Sequence, residues 1–287
     1  MLGLDDLEIG CLVWAGDSFR ANLREAKKRG IRAGQIGFSG DLPLEGLTKT
    51  LDPMLTAEQF IATAALLRFP GEDYTSIVAI QRTVGLAPRP TRKDRMDTVK
   101  RVSALARELA IDTVTCSLGI FPPEREDPVY EEVRDFTLEL CRFCRRNGQS
   151  FAVESGSEPP KVLLRLIEDV HHPNLKVNFN PGSMIRYGTG DPVEALDVFG
   201  KYVTAVTCND ANWPSIEHPE SLGEKRPIGH GNVNWTELMA KLKALGYRGA
   251  LNIEDTAGRH TEEAVGISEK ADAEPVRCCR SLLVRAV

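Results

Sequence analysis

Two hydrophobic rhythms alternate along the chain. Short runs, wholly apolar or alternating with period two, stop abruptly at polar, glycine or proline residues. Between them lie longer segments whose apolar positions recur every three or four residues. The first rhythm is that of buried parallel strands ending in loops, and the second that of helices with one face on a core. Glu8–Trp14 reads as a first strand, Ser18 as the N-cap of a helix that ends at Gly30, and Ala33–Phe38 as a second strand. Ser39–Pro53 reads as a long loop, and Thr56 as the cap of a helix reaching Arg68, with Glu58 in its first turn. Tyr74–Gln81 is rich in β-branched residues and reads as the third strand. Thr91 then opens a long helix, in which Met96, Val99, Val102, Leu105, Ala106 and Leu109 keep helical spacing.

The second half repeats the unit. Asp112–Leu118 is the fourth predicted strand and precedes a helix over about Pro128–Asn147. Ser150–Glu154 is the fifth, with a helix from Pro159-Pro160 to Val170. Leu175–Asn180 is the sixth, followed by a short helix over Pro192–Gly200. Tyr202–Asn209 is the seventh; a long loop, Asp210–Asn234, separates it from the helix Trp235–Leu245. Gly249–Glu254 is the eighth, and a last helix is expected from about Thr261. Strands alternating with helices predict a parallel sheet with right-handed crossovers. Eight such units predict a closed α/β structure, a single (β/α)8 TIM barrel, which typically uses ~250 residues and so takes the whole chain, 1–287, as one domain. An open doubly wound sheet would favour a Gly-rich fingerprint after the first strand, and Trp14-Ala15-Gly16-Asp17 is not one.

Composition narrows the function classes. A net charge of −5 argues against a dedicated nucleic-acid or anionic-membrane surface. No apolar run approaches the roughly 20 residues that span a bilayer. MLGLDDLEIG lacks the basic-then-apolar pattern of a secretory leader, and seven cysteines without framework spacing point to reduced thiols. The expectation is a cytoplasmic protein. Cys141 and Cys144 form a CxxC, but it lies inside a predicted helix without a second pair, so a buried helix face is the expected reading.

In such barrels chemistry sits at the C-terminal ends of the strands. FAVESGSEP, KVNFNPGSM and GALNIEDT each end an apolar run at a polar residue, which gathers Glu154, Asn180 and Glu254 into one candidate site. Trp14, Gln81, Ser117, Thr207, Asn209 and Asp210 fall at comparable places. The loop after Asp210 adds Trp213, Lys225, Arg226 and His230, a set suited to a hydroxylated or anionic ligand. Asn180 before Pro181 is also common turn chemistry.

In order and spacing, FAVESG, NFNPGSM, VTCNDA, IGHGNVNW and LNIED resemble the xylose isomerase-like superfamily of sugar isomerases and epimerases, which also holds AP endonucleases and inosose dehydratases. The resemblance covers nearly the whole chain. It implies the barrel fold, a small-molecule carbohydrate substrate, and one divalent cation (Mn or Mg) held by Glu, Asp, His and Glu. Carried over, the two Glu positions are Glu154 and Glu254, the Asp position is Asn180 and the His position is Thr207; the Glu of a Gly-Glu-Gly motif is His230. An amide for a carboxylate keeps an oxygen donor but removes a full charge, on which hard cations depend. The nucleic-acid branch needs a three-metal cluster of His and Asp, whereas Gln81 and Ser117 stand near two of those positions, so no nucleic-acid partner is expected. The implied activity is isomerisation or epimerisation of a sugar or sugar phosphate, with Glu154 and Glu254 as catalytic acid and base. Trp14, Gln81, Asn209, Asp210, Trp213, Lys225, Arg226 and His230 are the expected substrate contacts. Two alternatives stay open: a dehydratase or eliminase of a keto-sugar on the same scaffold, and a non-catalytic sugar-binding barrel with a degenerate metal site. Homo-oligomerisation is open as well.

Overall fold

The computed structural model describes residues 7–218 and 220–254. Strands β1 (Glu8–Trp14), β2 (Ala33–Ser39), β3 (Ile61–Arg68), β4 (Thr113–Cys116), β5 (Ser150–Glu154), β6 (Leu175–Phe179) and β7 (Val203–Cys208) are joined by a final strand, β10 (Ala250–Ile253). They close a barrel in the order β1-β10-β7-β6-β5-β4-β3-β2, and every neighbouring pair is parallel. Between β7 and β10 the chain adds a small antiparallel hairpin, β8 (Asp210–Ala211) with β9 (Lys225–Arg226). The expected (β/α)8 barrel is the fold.

The outer ring comprises α1 (Phe19–Lys28), α2 (Leu47–Glu58), α3 (Ile77–Thr83), α4 (Arg89–Glu108), α5 (Pro128–Arg146), α6 (Pro160–Val170), α7 (Pro181–Tyr187), α8 (Pro192–Phe199) and α9 (Trp235–Ala244). Each long helix buries one stripe, such as Phe19, Leu23 and Ala26 on α1 or Val162, Leu163, Leu166, Ile167 and Val170 on α6. These stripes join the strand residues Val13, Ile36, Phe38, Leu67, Val114, Phe151, Val153, Val177 and Phe179 in one apolar core. The cysteines of the CxxC, Cys141 and Cys144, are fully buried on α5, as expected of a helix face.

The pattern misleads between residues 39 and 83. The expected loop over Ser39–Pro53 is half helix, because α2 begins at Leu47. The expected helix from Thr56 to Arg68 is instead the end of α2 followed by β3, the turn being made by Gln59 in the left-handed region (φ 57°). The expected strand Tyr74–Gln81 contains helix α3, whose first turn is capped by the Ser76 hydroxyl accepting from Ala79 N. Strand propensity spans only about 1 kcal/mol per residue and reflects fit to a half-buried pleated surface. IATAALLR lies between β2 and β4, paired with β2 from Ala33↔Ile61 to Ser39↔Arg68 with one register shift between Gly34 and Gln35, and that burial overrides its helical composition. The last expected helix, from Thr261, lies outside the described residues.

Candidate active site

Three strand ends converge on one ion cluster. Arg68 closes β3, Glu154 closes β5, and Glu254 follows β10. The Arg68 guanidinium grips Glu154 with both nitrogens, Nη1 to Oε2 at 2.6 Å and Nη2 to Oε1 at 2.9 Å, and Nη2 also reaches Glu254 Oε1 at 3.5 Å. Asn180 Nδ2 donates to Glu154 Oε1 (3.0 Å), and Asn209 Nδ2 donates to Glu254 Oε2 (3.1 Å). The side chains of Arg68, Glu154 and Glu254 are only 21%, 7% and 11% exposed, so these bonds act with little screening by water. Burial pushes the Glu254 carboxyl up and the nearby Glu154 charge adds to this, against the pull of Arg68, Lys225 and Asn209. Burial works against the Arg68 charge, yet Glu154, Tyr74 and Glu254 hold it firmly cationic. The two expected acidic residues do converge over the barrel mouth. They bracket an arginine.

The walls explain other residues. The Trp14 ring lies on Gly37, where a Cβ would fall 2.6 Å from the ring, so β2 needs glycine there to admit the indole. Asn180 also starts α7, its Oδ1 accepting from Ser183 N (3.0 Å), with Pro181 in the first turn. Arg186 at the end of α7 donates from Nη2 to Tyr74 O (3.0 Å) and accepts Gly223 N on its carbonyl (2.7 Å), tying helix, hairpin loop and the loop after β3 together. Tyr187 lies within reach of the Arg186, Glu154, Arg68 and Glu254 charges, and burial pushes its hydroxyl up to about 12.

These residues do not fit the divalent cation that the resemblance implies. The place between Glu154 and Glu254 is filled by a guanidinium. Asn180 and Asn209 turn N–H donors, not oxygens, toward the carboxylates, and Asn180 Oδ1 is spent on the helix cap. Thr207 does not reach the carboxylates: it is fully buried two residues lower on β7, donating to Gln35 Oε1 (3.2 Å) and Asn178 Oδ1 (3.1 Å) in a polar layer inside the barrel. No group of three His, Cys, Asp or Glu side chains among the described residues is placed to hold a metal. Asn180 and Thr207 therefore carry a cap and an internal hydrogen bond rather than metal bonds.

Of the expected substrate contacts, Trp14, Asn209 and Lys225 lie at the mouth. Lys225 on β9 is within electrostatic reach of Glu254, Arg186 and Arg68, and burial of its ammonium end, with those two arginines, lowers its proton affinity. Gln81 is exposed on α3, because β3 ends at Arg68 instead. Asp210 is structural. Its Oδ2 accepts from Gly229 N, Gly231 N and Trp235 Nε1, and its Oδ1 from Ala211 N and Val233 N, so one buried carboxylate holds the whole 229–235 segment. Arg226 pairs with Glu224 (3.0 Å), and His230 is exposed in the turn that Asp210 anchors. Trp213 is 39% exposed, its backbone N donating to Asn232 Oδ1. Arg68 is the residue that sequence reasoning missed. The signal was present: LLRFPG ends an apolar run at a polar residue before Pro-Gly, as FAVESG and NFNPG do.

One carboxyl beside the site has no satisfactory partner. Glu158 is 4% exposed; its Oε2 accepts from Ser157 Oγ at 2.7 Å, while its Oε1 is buried without a hydrogen bond. Burial, with a smaller contribution from Glu154, pushes it up from 4.5 to about 7. The folded chain thus holds a proton that the unfolded chain releases, and stability falls as pH rises from the unfolded value through about 7. The expected loss is about 3 kcal/mol. Glu158→Gln removes it: urea midpoints of variant and wild type should nearly coincide at acid pH, and the variant should be the more stable above pH about 7.

Comparisons with known proteins agree with this architecture. The chain matches the family model described as xylose isomerase-like TIM barrel over residues 23–274. It superposes on a xylose isomerase domain protein from Planctomyces limnophilus with a TM-score of 0.83 and 28% identity, covering 99% of this chain and 97% of that one. It also superposes on the apo form of 3-keto-D-glucoside 4-epimerase from E. coli with a TM-score of 0.70 and 13% identity, covering 96% and 100% of the two chains, a likeness of fold. An uncharacterised protein of Methanocaldococcus jannaschii is 33% identical over 97 residues, a match that spans 33% of this chain and 31% of that relative. The sequence match over most of its length and the closed parallel barrel together make the chain a member of the xylose isomerase-like TIM barrel family.

Proposed function

We propose that the chain is a sugar isomerase or epimerase that moves a proton next to a carbonyl, with the Arg68 guanidinium supplying the positive charge otherwise expected from a divalent cation. The observation that carries this reading is the bidentate Arg68–Glu154 pair with Glu254 on its other flank. Glu254, whose carboxyl burial and Glu154 push up, is the proton carrier. It takes the proton from the carbon beside the carbonyl; the C–H electron pair forms the C=C bond, and the carbonyl electrons pass to oxygen as an enediolate. Arg68 and Lys225 stabilise that oxygen. The hydroxyl proton of the first carbon passes to the former carbonyl oxygen within the enediolate. Return of the carbon-bound proton from Glu254 to the neighbouring carbon on the same face, as the C=C electrons form the new C–H bond and the first carbon becomes the carbonyl, completes an isomerisation. Epimerisation needs a group on the opposite face, a part open to Glu154 only if Arg68 turns away. The substrate is a small carbohydrate, a class that the E. coli keto-glucoside epimerase of the same fold supports. Among the described residues no helix is long and apolar enough to cross a membrane.

A second reading, a non-catalytic sugar-binding barrel, is favoured by the closure of Glu154 by Arg68 and Asn180. Deuterium exchange separates the two. A panel of ketoses incubated with chelator-treated protein in D2O and followed by NMR should gain deuterium beside the carbonyl. No exchange with any ketose would leave the binding barrel; exchange only after Mn is restored would refute the metal-free mechanism.

A further inference from the structure

Strand β3 overhangs one of its neighbours. Its ladder with β4 stops at Leu66↔Thr115, two residues short of Arg68, while on the other side it stays paired with β2 as far as Ser39↔Arg68. On the β4 side the end that carries Arg68 is braced by the loop that follows it, and Glu72 is the hub of that brace. Its Oε2 accepts from Phe69 N (3.1 Å), the amide directly after Arg68, and from the Tyr74 hydroxyl (3.0 Å); its Oε1 accepts from Gly85 N (2.8 Å). Arg95 on α4 holds the same loop by its carbonyls. Its Nη1 donates to Thr83 O and Gly85 O, at 2.6 Å each, and its Nη2 to Pro70 O at 3.3 Å, while the guanidinium lies 5.1 Å from the centre of the Phe69 ring. Leu86 N and Ala87 N then donate to Leu118 O (2.9 and 2.7 Å), which seats the loop on the chain after β4.

These bonds complete a circuit behind the Arg68–Glu154 fork. Asn180 Nδ2 holds Glu154, and Asn180 Oδ1 caps α7. Arg186, near the other end of α7, donates to Tyr74 O, and the Tyr74 hydroxyl donates to Glu72, which grips the residue after Arg68. Each partner of the fork is thus held from behind, Glu154 through α7 and Arg68 through Glu72. We infer that Glu72 is a positioning residue for Arg68, fixing the overhanging end of β3 so that the guanidinium meets Glu154 with both nitrogens and keeps a flank for Glu254. The chemistry requires a glutamate. Both carboxylate oxygens accept from donors, so an amide would turn its NH2 toward an N–H or a hydroxyl at one end. An aspartate is one methylene short of spanning Phe69 and Gly85. A two-pronged guanidinium–carboxylate pair depends on alignment as well as charge, so a small shift of the β3 end costs one prong before it costs the other.

This inference rests on the reading of Arg68 as the cation of the site, and its test reads Arg68 itself and not turnover. Nitrogen NMR on protein labelled at its arginines should show the Arg68 guanidinium N–H signals, identified by their loss in Arg68→Met, as resolved and slow to exchange with solvent. In Glu72→Gln and Glu72→Asp that exchange should be faster by about tenfold or more. Tyr74→Phe removes the hydroxyl link and leaves the backbone bonds of the loop, so it should fold even where the Glu72 variants do not, and should give a smaller acceleration in the same direction. Urea titrations add a double-mutant cycle. The midpoint shift caused by Glu72→Gln should fall to about half or less in an Arg68→Met background, because the group that Glu72 positions is gone. Unchanged Arg68 signals in the Glu72 variants or in Tyr74→Phe, or a midpoint shift of equal size in both backgrounds, would mean that Glu72 folds the loop and nothing more, and overturns the inference. Faster Arg68 exchange in these variants, with no ketose gaining deuterium in the wild type, would uphold this inference while removing the isomerase reading.

Discussion

Replacing Arg68 with methionine lowers stability by about 3–5 kcal/mol, the cost of stranding buried charges. Two acidic side chains, 7% and 11% exposed, would face each other with the Asn180 and Asn209 amides as hydrogen-bond donors and the Lys225 charge acting on Glu254. Part of the loss is recoverable by protonation, since Glu254 is already pushed up by burial and by Glu154. Losing Arg68 removes the strongest influence that opposes that rise. In the variant the folded state should take up a proton that the unfolded chain releases above its ordinary carboxylate range. Its stability deficit should therefore be smallest at acid pH and widen toward neutrality, a trend that urea titrations across pH can read directly. Arg68→Lys keeps the charge but not the fork, and should recover only part of the loss.

Glu254→Gln should cut solvent-proton exchange by about 10²–10⁴-fold, the usual worth of a positioned general base, while costing little stability. The amide keeps an oxygen toward Arg68, and the Arg68–Glu154 fork stays intact. Glu154→Gln should behave oppositely: it weakens the fork and loosens Arg68, so stability falls and the remaining activity is set by the strayed cation. The pH profile carries a further sign. A base whose proton affinity is raised by burial works only when deprotonated, so exchange in the wild type should increase with pH through a value above the ordinary carboxylate range. Single-turnover exchange across pH, for wild type and Lys225→Met, tests this; removing the Lys225 charge should move the rise to higher pH, because Lys225 now pulls Glu254 down.

Much of the fold was legible because buried parallel strands and one-sided helices write different periods. β1, β5 and α6 lie where the pattern puts them. The failure at 39–83 has one cause: IATAALLR has helix-forming composition but is buried in the sheet, and SIVAIQ has strand composition but folds as α3 around a Ser76 cap. That error carried into the site. With β3 misplaced, Gln81 took the strand-end position and Arg68 was hidden inside a supposed helix. Glu154 and Glu254 were legible because an apolar run stopping at a carboxylate is conspicuous. The duties of Asn180, Thr207 and Asp210 were not. Each forms its bonds to groups distant in sequence or to backbone N–H groups placed by the tertiary fold, such as Gln35 for Thr207 and Gly229 and Gly231 for Asp210.

The central claim, that a guanidinium takes the cation's place between two barrel-mouth glutamates, is tested most directly by titrating the chelator-treated chain with Mn²⁺ and counting bound ions by electron paramagnetic resonance. The account predicts no saturable site in the wild type. One tightly bound Mn²⁺ per chain that disappears in Glu154→Gln and Glu254→Gln would contradict it.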